Sequence, residues 1–162
     1  MTIRRVSIAA AMIEGGLLIA GGCASPTGTG SGSGPGAHPL TPTEVRVYRD
    51  DEWRLTRMVE NGTEVPLVAK STVTLIFQGL DRVAGMASIN RYFGGYTLGP
   101  WGQITWQGTF GTTRMAGLPE LMTQETRFLQ LLRKTTRARI DGSRLILDDG
   151  GLSTILEFSL AN

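Results

Sequence analysis

The chain predicts a mainly β fold with one helix: a curved antiparallel sheet or partly closed barrel of about eight strands. Three observations predict it. From Glu44 onward, short stretches alternate apolar and polar residues. Turn signals carrying glycine separate those stretches. A single stretch, Pro119 to Lys134, changes to helical spacing instead. A period of two places one face of a strand on a core and the other in water, whereas a period near 3.6 does the same for a helix.

Taken in order, Glu44–Arg49 alternates Val45 and Val47 with charge and reads as a first strand. Trp53–Met58 carries Trp53 and Leu55 on one face. Thr72–Phe77 places Val73, Leu75 and Phe77 together, and Arg82–Asn90 alternates Val83, Gly85, Ala87 and Ile89. Gly102–Trp106 and Thr112–Ala116 are shorter strand candidates. Ala138 with Ile140, Leu145 with Leu147, and Leu152 through Leu160 complete the set. Asn61-Gly62, Gly94-Gly95, Asp141-Gly142 and Asp149-Gly150-Gly151 are the intervening turns; the last is the strongest hairpin signal. In the helix, Pro119 suits a first-turn position, where its missing N–H is not needed. Glu120 at the start and Arg133 with Lys134 at the end complement the helix dipole. Leu121, Phe128 and Leu132 mark its apolar face.

Composition narrows the possibilities. A chain of 162 residues, 41% hydrophobic and 19% charged, fits one ordinary domain plus extras. It is too apolar for a disordered chain. A net charge of +2 is too small to argue for a nucleic-acid partner. The single cysteine excludes an intramolecular disulfide.

The first 22 residues read as a lipoprotein-type signal peptide. Arg4 and Arg5 precede an apolar stretch from Val6 to Ala20; small residues follow, and then Cys23, which the pattern marks for lipidation. An ordinary signal peptide or a short anchor helix with a free thiol are the alternatives. A spanning helix needs roughly 20 apolar residues, and this stretch is shorter and holds Glu14. Residues 23–43 form a Gly/Ser/Pro-rich tether, and residues 44–162 the folded domain. The tether lacks apolar residues enough to offset its ordering entropy. His38 lies in it and reads as a solvated bystander. Removal of the signal takes away Arg4, Arg5 and Glu14 and leaves the rest nearly neutral. The expected location is therefore the cell envelope, lipid-anchored to a membrane. Ala24 after the cysteine, which is not Asp, favours the outer membrane of a cell with two.

A family resemblance is carried by a series of short motifs. Trp53-x-Leu55 opens it, followed by Gly62, Pro66 and the strand Thr74-Leu75-Ile76-Phe77. Val83-x-Gly85 precedes Asn90-Arg91-Tyr92-Phe93-Gly94-Gly95-Tyr96. Thr113-Arg114-Met115-Ala116 leads to the helix with Glu125, Phe128 and Leu132; Gly142-x-x-Leu145-x-Leu147 and Leu156-x-Phe158 close it. This stretch resembles a META domain, the family of the HslJ-like heat-shock proteins. The resemblance implies a mainly β domain, often exported and lipid-anchored, tied to stress or antibiotic tolerance, with no catalytic residues to carry over. Many such domains have one cysteine just before that Asn and another just after Met-Ala. Here those positions are Ile89 and Gly117, which implies that the two are neighbours in space and have lost a pairing together.

The chemistry available is sparse. The folded part contains no His or Cys after the tether, which removes Ser–His–Asp and Cys–His catalysis and His- or Cys-built zinc sites. No cofactor and no metal are expected. Glu120 and Glu125 point apart on a helix and make a poor acid/base pair. Asp50-Asp51-Glu52 and Asp148-Asp149 read as solvated turns rather than cation sites. Asn90 reads as a turn-former bonding local backbone, and Arg91 and Arg114 as cross-strand partners for carboxylates. The aromatics Tyr92, Phe93, Tyr96, Trp101 and Trp106 read chiefly as core. As a binding surface the candidates are Asn90, Arg91, Tyr92, Tyr96, Trp101, Trp106 and Arg114.

The function expected is that of a lipid-anchored, non-enzymatic envelope protein that acts by binding or supports the envelope under stress. Its partner would be an envelope protein or a small lipophilic ligand. The rival readings are a lipocalin-like carrier, which needs an apolar cavity; a protein inhibitor, which needs a projecting aromatic loop; and a carboxylate-based hydrolase, which needs two converging carboxylates.

Overall fold

The computed structural model describes residues 36–161; the segment read as a signal, Cys23 and the stretch read as a tether up to residue 35 lie outside the described residues. Ten strands form one antiparallel, curved sheet. They are β1 (His38–Pro39), β2 (Glu52–Glu60), β3 (Thr63–Glu64), β4 (Thr74–Phe77), β5 (Arg82–Met86), β6 (Arg91–Leu98), β7 (Ile104–Thr112), β8 (Arg137–Asp141), β9 (Arg144–Asp148) and β10 (Thr154–Leu160). Their order is β1-β8-β9-β10-β2-β4-β5-β6-β7, with β3 paired to β2. The two strands beyond the expected eight, β1 and β3, are two-residue pieces with no period to read.

The sheet is not closed by a continuous ladder. Its margins meet at a bridge between Gln103 and Arg137. Flanking it, Ile104 N–H donates to the Thr136 carbonyl at 2.9 Å and Ala138 N–H to that of Gly102 at 2.7 Å. Register shifts at Glu157/Phe158 and at Phe93/Gly95 bend the strands toward this arrangement.

Helix α2 (Pro119–Lys134) has the predicted bounds, with Pro at its start, Glu120 in the first turn and Arg133 and Lys134 in the last. Its inner face buries Gln124, Glu125, Phe128, Leu131 and Leu132. Phe128 meets Tyr92 edge-on at 5.6 Å and Phe158 at 6.4 Å. Full burial of such a ring contributes about 1.5–3 kcal/mol. Trp53, Phe77, Tyr92, Tyr96, Phe128 and Phe158 are all fully buried and fill the concave side of the sheet. Among the described residues no helix is long and apolar enough to cross a membrane.

Three expectations are corrected. Glu44–Arg49 is not a strand; Pro42–Val47 forms a short helix, α1. Thr41 caps it: Glu44 N–H donates to Thr41 Oγ1, and the Glu44 carboxylate receives the Thr41 N–H in return. Val45 is buried but Val47 is exposed, so the apparent alternation is one helical contact and one bystander. Gly94-Gly95 is not a turn; both lie inside β6. A Cβ at Gly94 would meet the Phe110 ring at 2.5 Å, and one at Gly111, across the strand pair, would meet the Phe93 ring at 2.4 Å. The bare backbone is the seat for two crossed aromatic rings. Gly102–Trp106 and Thr112–Ala116 are not two strands, because Ile104–Thr112 is one continuous strand. Residues 113–118 leave the sheet and are held by Asn90.

His38 also departs from its expected role. It pairs with Ile140 through β1, and its Nε2 lies 2.5 Å from the Glu44 carboxylate. The hydrogen bond to Glu44 raises the His38 pKa above its ordinary 6.5. Partial burial pushes the Glu44 carboxyl up, but the hydrogen bonds from His38 and Thr41 outweigh it and hold the group low.

Candidate functional site

Asn90 sits in the turn between β5 and β6, and it is buried rather than solvated. Its Nδ2 donates to Glu125 Oε1 at 2.8 Å and to the Met115 carbonyl at 3.2 Å. Its Oδ1 accepts from Met115 N–H at 2.7 Å and from Thr113 Oγ1 at 2.8 Å. The partners are 23 to 35 residues away in sequence, so the local-turn reading is corrected. Glu125 Oε2 in turn accepts the backbone N–H groups of Asn90 and Ile89. A buried carboxylate with this many donors is fully engaged in holding the turn, the 113–118 segment and α2 together. Gln124, the residue just before Glu125 on the same helix, accepts Val68 N–H at 2.6 Å and donates to the Ser71 and Ser88 hydroxyls. Sequence spacing did not single out Gln124. Its only signal is that Gln124, Glu125 and Phe128 share the inward arc of the helix.

The two tyrosines among the candidates are core. Tyr92 O–H donates to the Thr74 carbonyl at 2.9 Å and Tyr96 O–H to that of Gly79 at 2.7 Å. Burial pushes both phenols well above their ordinary range. Gly85 lies beneath Tyr92; a Cβ there would stand 2.1 Å from the Thr74 carbonyl oxygen. Trp106 is half-buried and donates its indole N–H to Thr135 Oγ1 at 3.0 Å. These three thus follow the core reading of the aromatics and not the binding-surface alternative. Trp101 is the opposite case, 73% exposed.

Neither Arg91 nor Arg114 forms an ion pair among the described residues, which corrects the cross-strand expectation. The cross-strand pairs are others. Arg57 bridges Glu64 and Glu157, and Arg137 and Arg139 both reach the fully buried Asp148. Burial raises the Asp148 carboxyl, but bonds from Arg137, Gly150 N–H and Arg139 outweigh that and hold it low. Asp148 is thus neither a solvated turn residue nor open to a cation. Among the described residues, no group of three or more His, Cys, Asp or Glu is placed to hold a metal.

What remains open is the outer face of β4, β5 and β6. Ile76, Ala84, Phe93 and Gly111 stand in direct register across four strands. Phe93 lies on Gly111 and is 54% exposed. On either side of the Ala84–Phe93 pair along the strands stand Arg82, opposite Gly95, and Arg91, opposite Met86. Small residues at the centre leave a recess of about 400 Å³, walled by Ile76, Arg82, Met86, Arg91 and Phe93, with Glu52 at its rim. Of the predicted site residues, Arg91 and Tyr92 line it, Arg91 exposed and Tyr92 buried. Sequence reading put Phe93 with the core as one of a cluster of aromatics; strand alternation turns Phe93 to the face opposite Tyr92.

Ile89 and Gly117 are in contact: a Cβ added at Gly117 would lie 2.6 Å from Ile89 Cγ1. That is the neighbourhood the resemblance implies.

Comparison with solved structures places the fold among known ones. An NMR structure of a protein from Burkholderia xenovorans is similar at a TM-score of 0.60 and 23% identity, covering 76% of this chain and 90% of that one. A crystal structure of a DUF4847 family protein from Bacteroides vulgatus is similar at 0.52 and 10% identity, covering 70% and 94%. At these identities the likeness speaks for the fold alone. No curated protein matches. A family profile described as META domain matches residues 46–161, nearly the whole span from α1 to β10. The Asn90–Glu125 clasp, the Phe128 plug and the turn before β6 lie within that span, and the chain belongs to the META domain family.

Proposed function

We propose that this protein is a non-enzymatic component of the cell envelope, anchored by a lipid at Cys23, whose META domain acts by binding an envelope protein in stress or antibiotic tolerance. The observation that carries the binding reading is the outer face around Phe93. An exposed ring on a glycine seat, between two arginines without ion-pair partners among the described residues, suits a segment that brings an apolar group and a carboxylate together. The motif residues Asn90 and Glu125 support the same reading from the other direction. Their polar atoms are engaged inside the domain, so they do the work of a scaffold.

The carrier reading loses ground, because Trp53, Tyr92, Phe128 and Phe158 occupy the concave side where a lipophile would lie. The inhibitor reading keeps one observation in its favour, the exposed Trp101 turn.

The test is complementation of a deletion strain under envelope stress. The wild-type gene should restore survival, and a Phe93→Ser/Arg91→Glu variant of unchanged melting temperature should not. Full rescue by that variant would sink the binding face. Cys23→Ala should move the protein from the membrane to the soluble fraction; unchanged fractionation would end the anchoring reading.

A further inference from the structure

Three exposed apolar side chains, Val47, Leu80 and Trp101, gather at one end of the sheet, and it is the end at which residue 36 joins the domain. Strand register places them. β1 runs antiparallel to β8, with His38 opposite Ile140, so residue 36 lies toward the β8–β9 turn at Gly142. Arg144 is opposite Ser159, Leu160 opposite Trp53, and Glu52 opposite Ile76, which brings the start of β2 and the end of β4 to the same end. The β4–β5 turn there carries Leu80. Helix α1 finishes there too, since Tyr48 packs edge-on to Trp53 at 5.2 Å. Leu98 is opposite Ile104, so the β6–β7 turn with Trp101 completes the set.

The Trp101 turn is held directly against the incoming chain. A Cβ at Gly102 would stand 3.2 Å from Pro39 Cβ and from Leu40 N. The turn is also firmly tied: Gly99 N–H donates to the Gln103 carbonyl at 2.8 Å, and Trp101 N–H to Gln103 Oε1 at 3.2 Å. An indole that is 73% exposed on a tied turn is presented rather than left over.

We propose that this end, with Trp101 foremost and Val47 and Leu80 beside it, rests in the headgroup–acyl boundary of the bilayer. The proposal rests on the anchoring reading above. Thirteen residue steps separate Cys23 from residue 36. A Gly/Ser-rich chain of that length has an r.m.s. reach of about 20 Å. That is shorter than the extent of a folded domain, so a lipid at Cys23 keeps the Trp101 end nearest the membrane. Tryptophan is the side chain most at home at that boundary, with an apolar body and one N–H for the wet side. Charges at this end have both signs, Arg46, Arg49 and Arg82 with Asp50, Asp51 and Asp81. Docking therefore proceeds by interfacial burial and not by attraction to anionic lipid.

Cys23 is the sole cysteine, which allows a test independent of how cells process the chain. The full chain is coupled through Cys23 to a maleimide lipid in phosphatidylcholine vesicles, and tryptophan emission is read with and without brominated lipid. Wild type should shift to the blue and be quenched, at low and high salt alike, and Trp101→Ser should lose the quenching with an unchanged melting temperature. Trp53 and Trp106, being buried and half-buried, contribute the unquenched remainder. Absence of quenching in wild type, or equal quenching in Trp101→Ser, would overturn the docking proposal, including in favour of Trp101 entering a protein cleft. Because the vesicle supplies the anchor chemically, this result is separate from the Cys23→Ala fractionation, which judges the anchor alone.

Discussion

Glu125 of α2 holds Asn90 by two bonds of 2.8 Å each, one from the backbone N–H and one from the side-chain amide. A helix carboxylate thereby closes a turn of the sheet 35 residues upstream, and Asn90 passes the restraint on to Thr113 and Met115. The node joins three parts of the chain that no local interaction would bring together.

Removing either partner should therefore cost far more than an exposed turn substitution. Asn90→Ala and Glu125→Ala are each expected to lower unfolding free energy by about 1.5–3 kcal/mol, as groups that leave buried partners unsatisfied. Urea denaturation of both and of the double variant gives the coupling. The double should cost clearly less than the two single losses combined, since the second removal takes away a group already orphaned. Strict additivity would show that the two do not act as a unit.

Gly85 has no room for a side chain, with the Thr74 carbonyl oxygen 2.1 Å and Tyr92 Cε1 2.9 Å from where a Cβ would stand. Gly85→Ala should destabilise by about 1–3 kcal/mol or more by forcing β4 and β5 apart. Gly36→Ala, where nothing lies within 4 Å, is the matched control and should be near neutral. Thermal melting distinguishes them, and a neutral Gly85→Ala would contradict the close approach.

The contact between Ile89 and Gly117 predicts a bridge that this chain lacks. On a Cys23→Ala background, Ile89→Cys with Gly117→Cys should form a disulfide in air without a change of fold. Closing a loop of this size should add about 2–4 kcal/mol over the reduced form. Thiol titration before and after reduction, with melting of both forms, reads the outcome. Free thiols persisting under oxidant would mean that the two positions do not meet.

The His38–Glu44 contact makes the attachment of β1 and α1 depend on pH. The folded pKa of His38 is raised, so its contribution is fully present below its ordinary 6.5 and is lost as pH rises through the higher folded value. The folded pKa of Glu44 is lowered, so its contribution is present above its ordinary 4.5 and is lost as pH falls through the lower value. The pair should thus hold best between about pH 4.5 and 6.5. Hydrogen exchange at Leu40 and Val45 should slow in that window and quicken above it, and His38→Ala should flatten the difference. An identical profile in that variant would remove the pair from the account.

Much of the fold could be read residue by residue. The helix from Pro119 to Lys134 carries its start, its charges and its apolar face in one contiguous stretch. β8, β9 and β10 show plain alternation with Asp-Gly turns between them. α1 was legible as well, because Thr41-Pro42-Thr43-Glu44 is a capping box, but the two valines after it imitate a strand. Among the exposed residues of the candidate face, only Arg91 was legible. Phe93 was hidden by its neighbours, and Gly94-Gly95 looked like a turn because a glycine pair in isolation usually is one.

By itself the sequence determined the class of the fold, most of its elements and the family, since periodicity, caps and turn chemistry act over a few residues and are written in order along the chain. Only the tertiary structure decided that Asn90 and Glu125 are a clasp, that the glycines of β6 and β7 are seats for rings, and that Phe93 and Trp101 stay outside. Those outcomes depend on contacts between segments tens of residues apart, where what lies opposite a side chain settles whether it is buried, paired or left open.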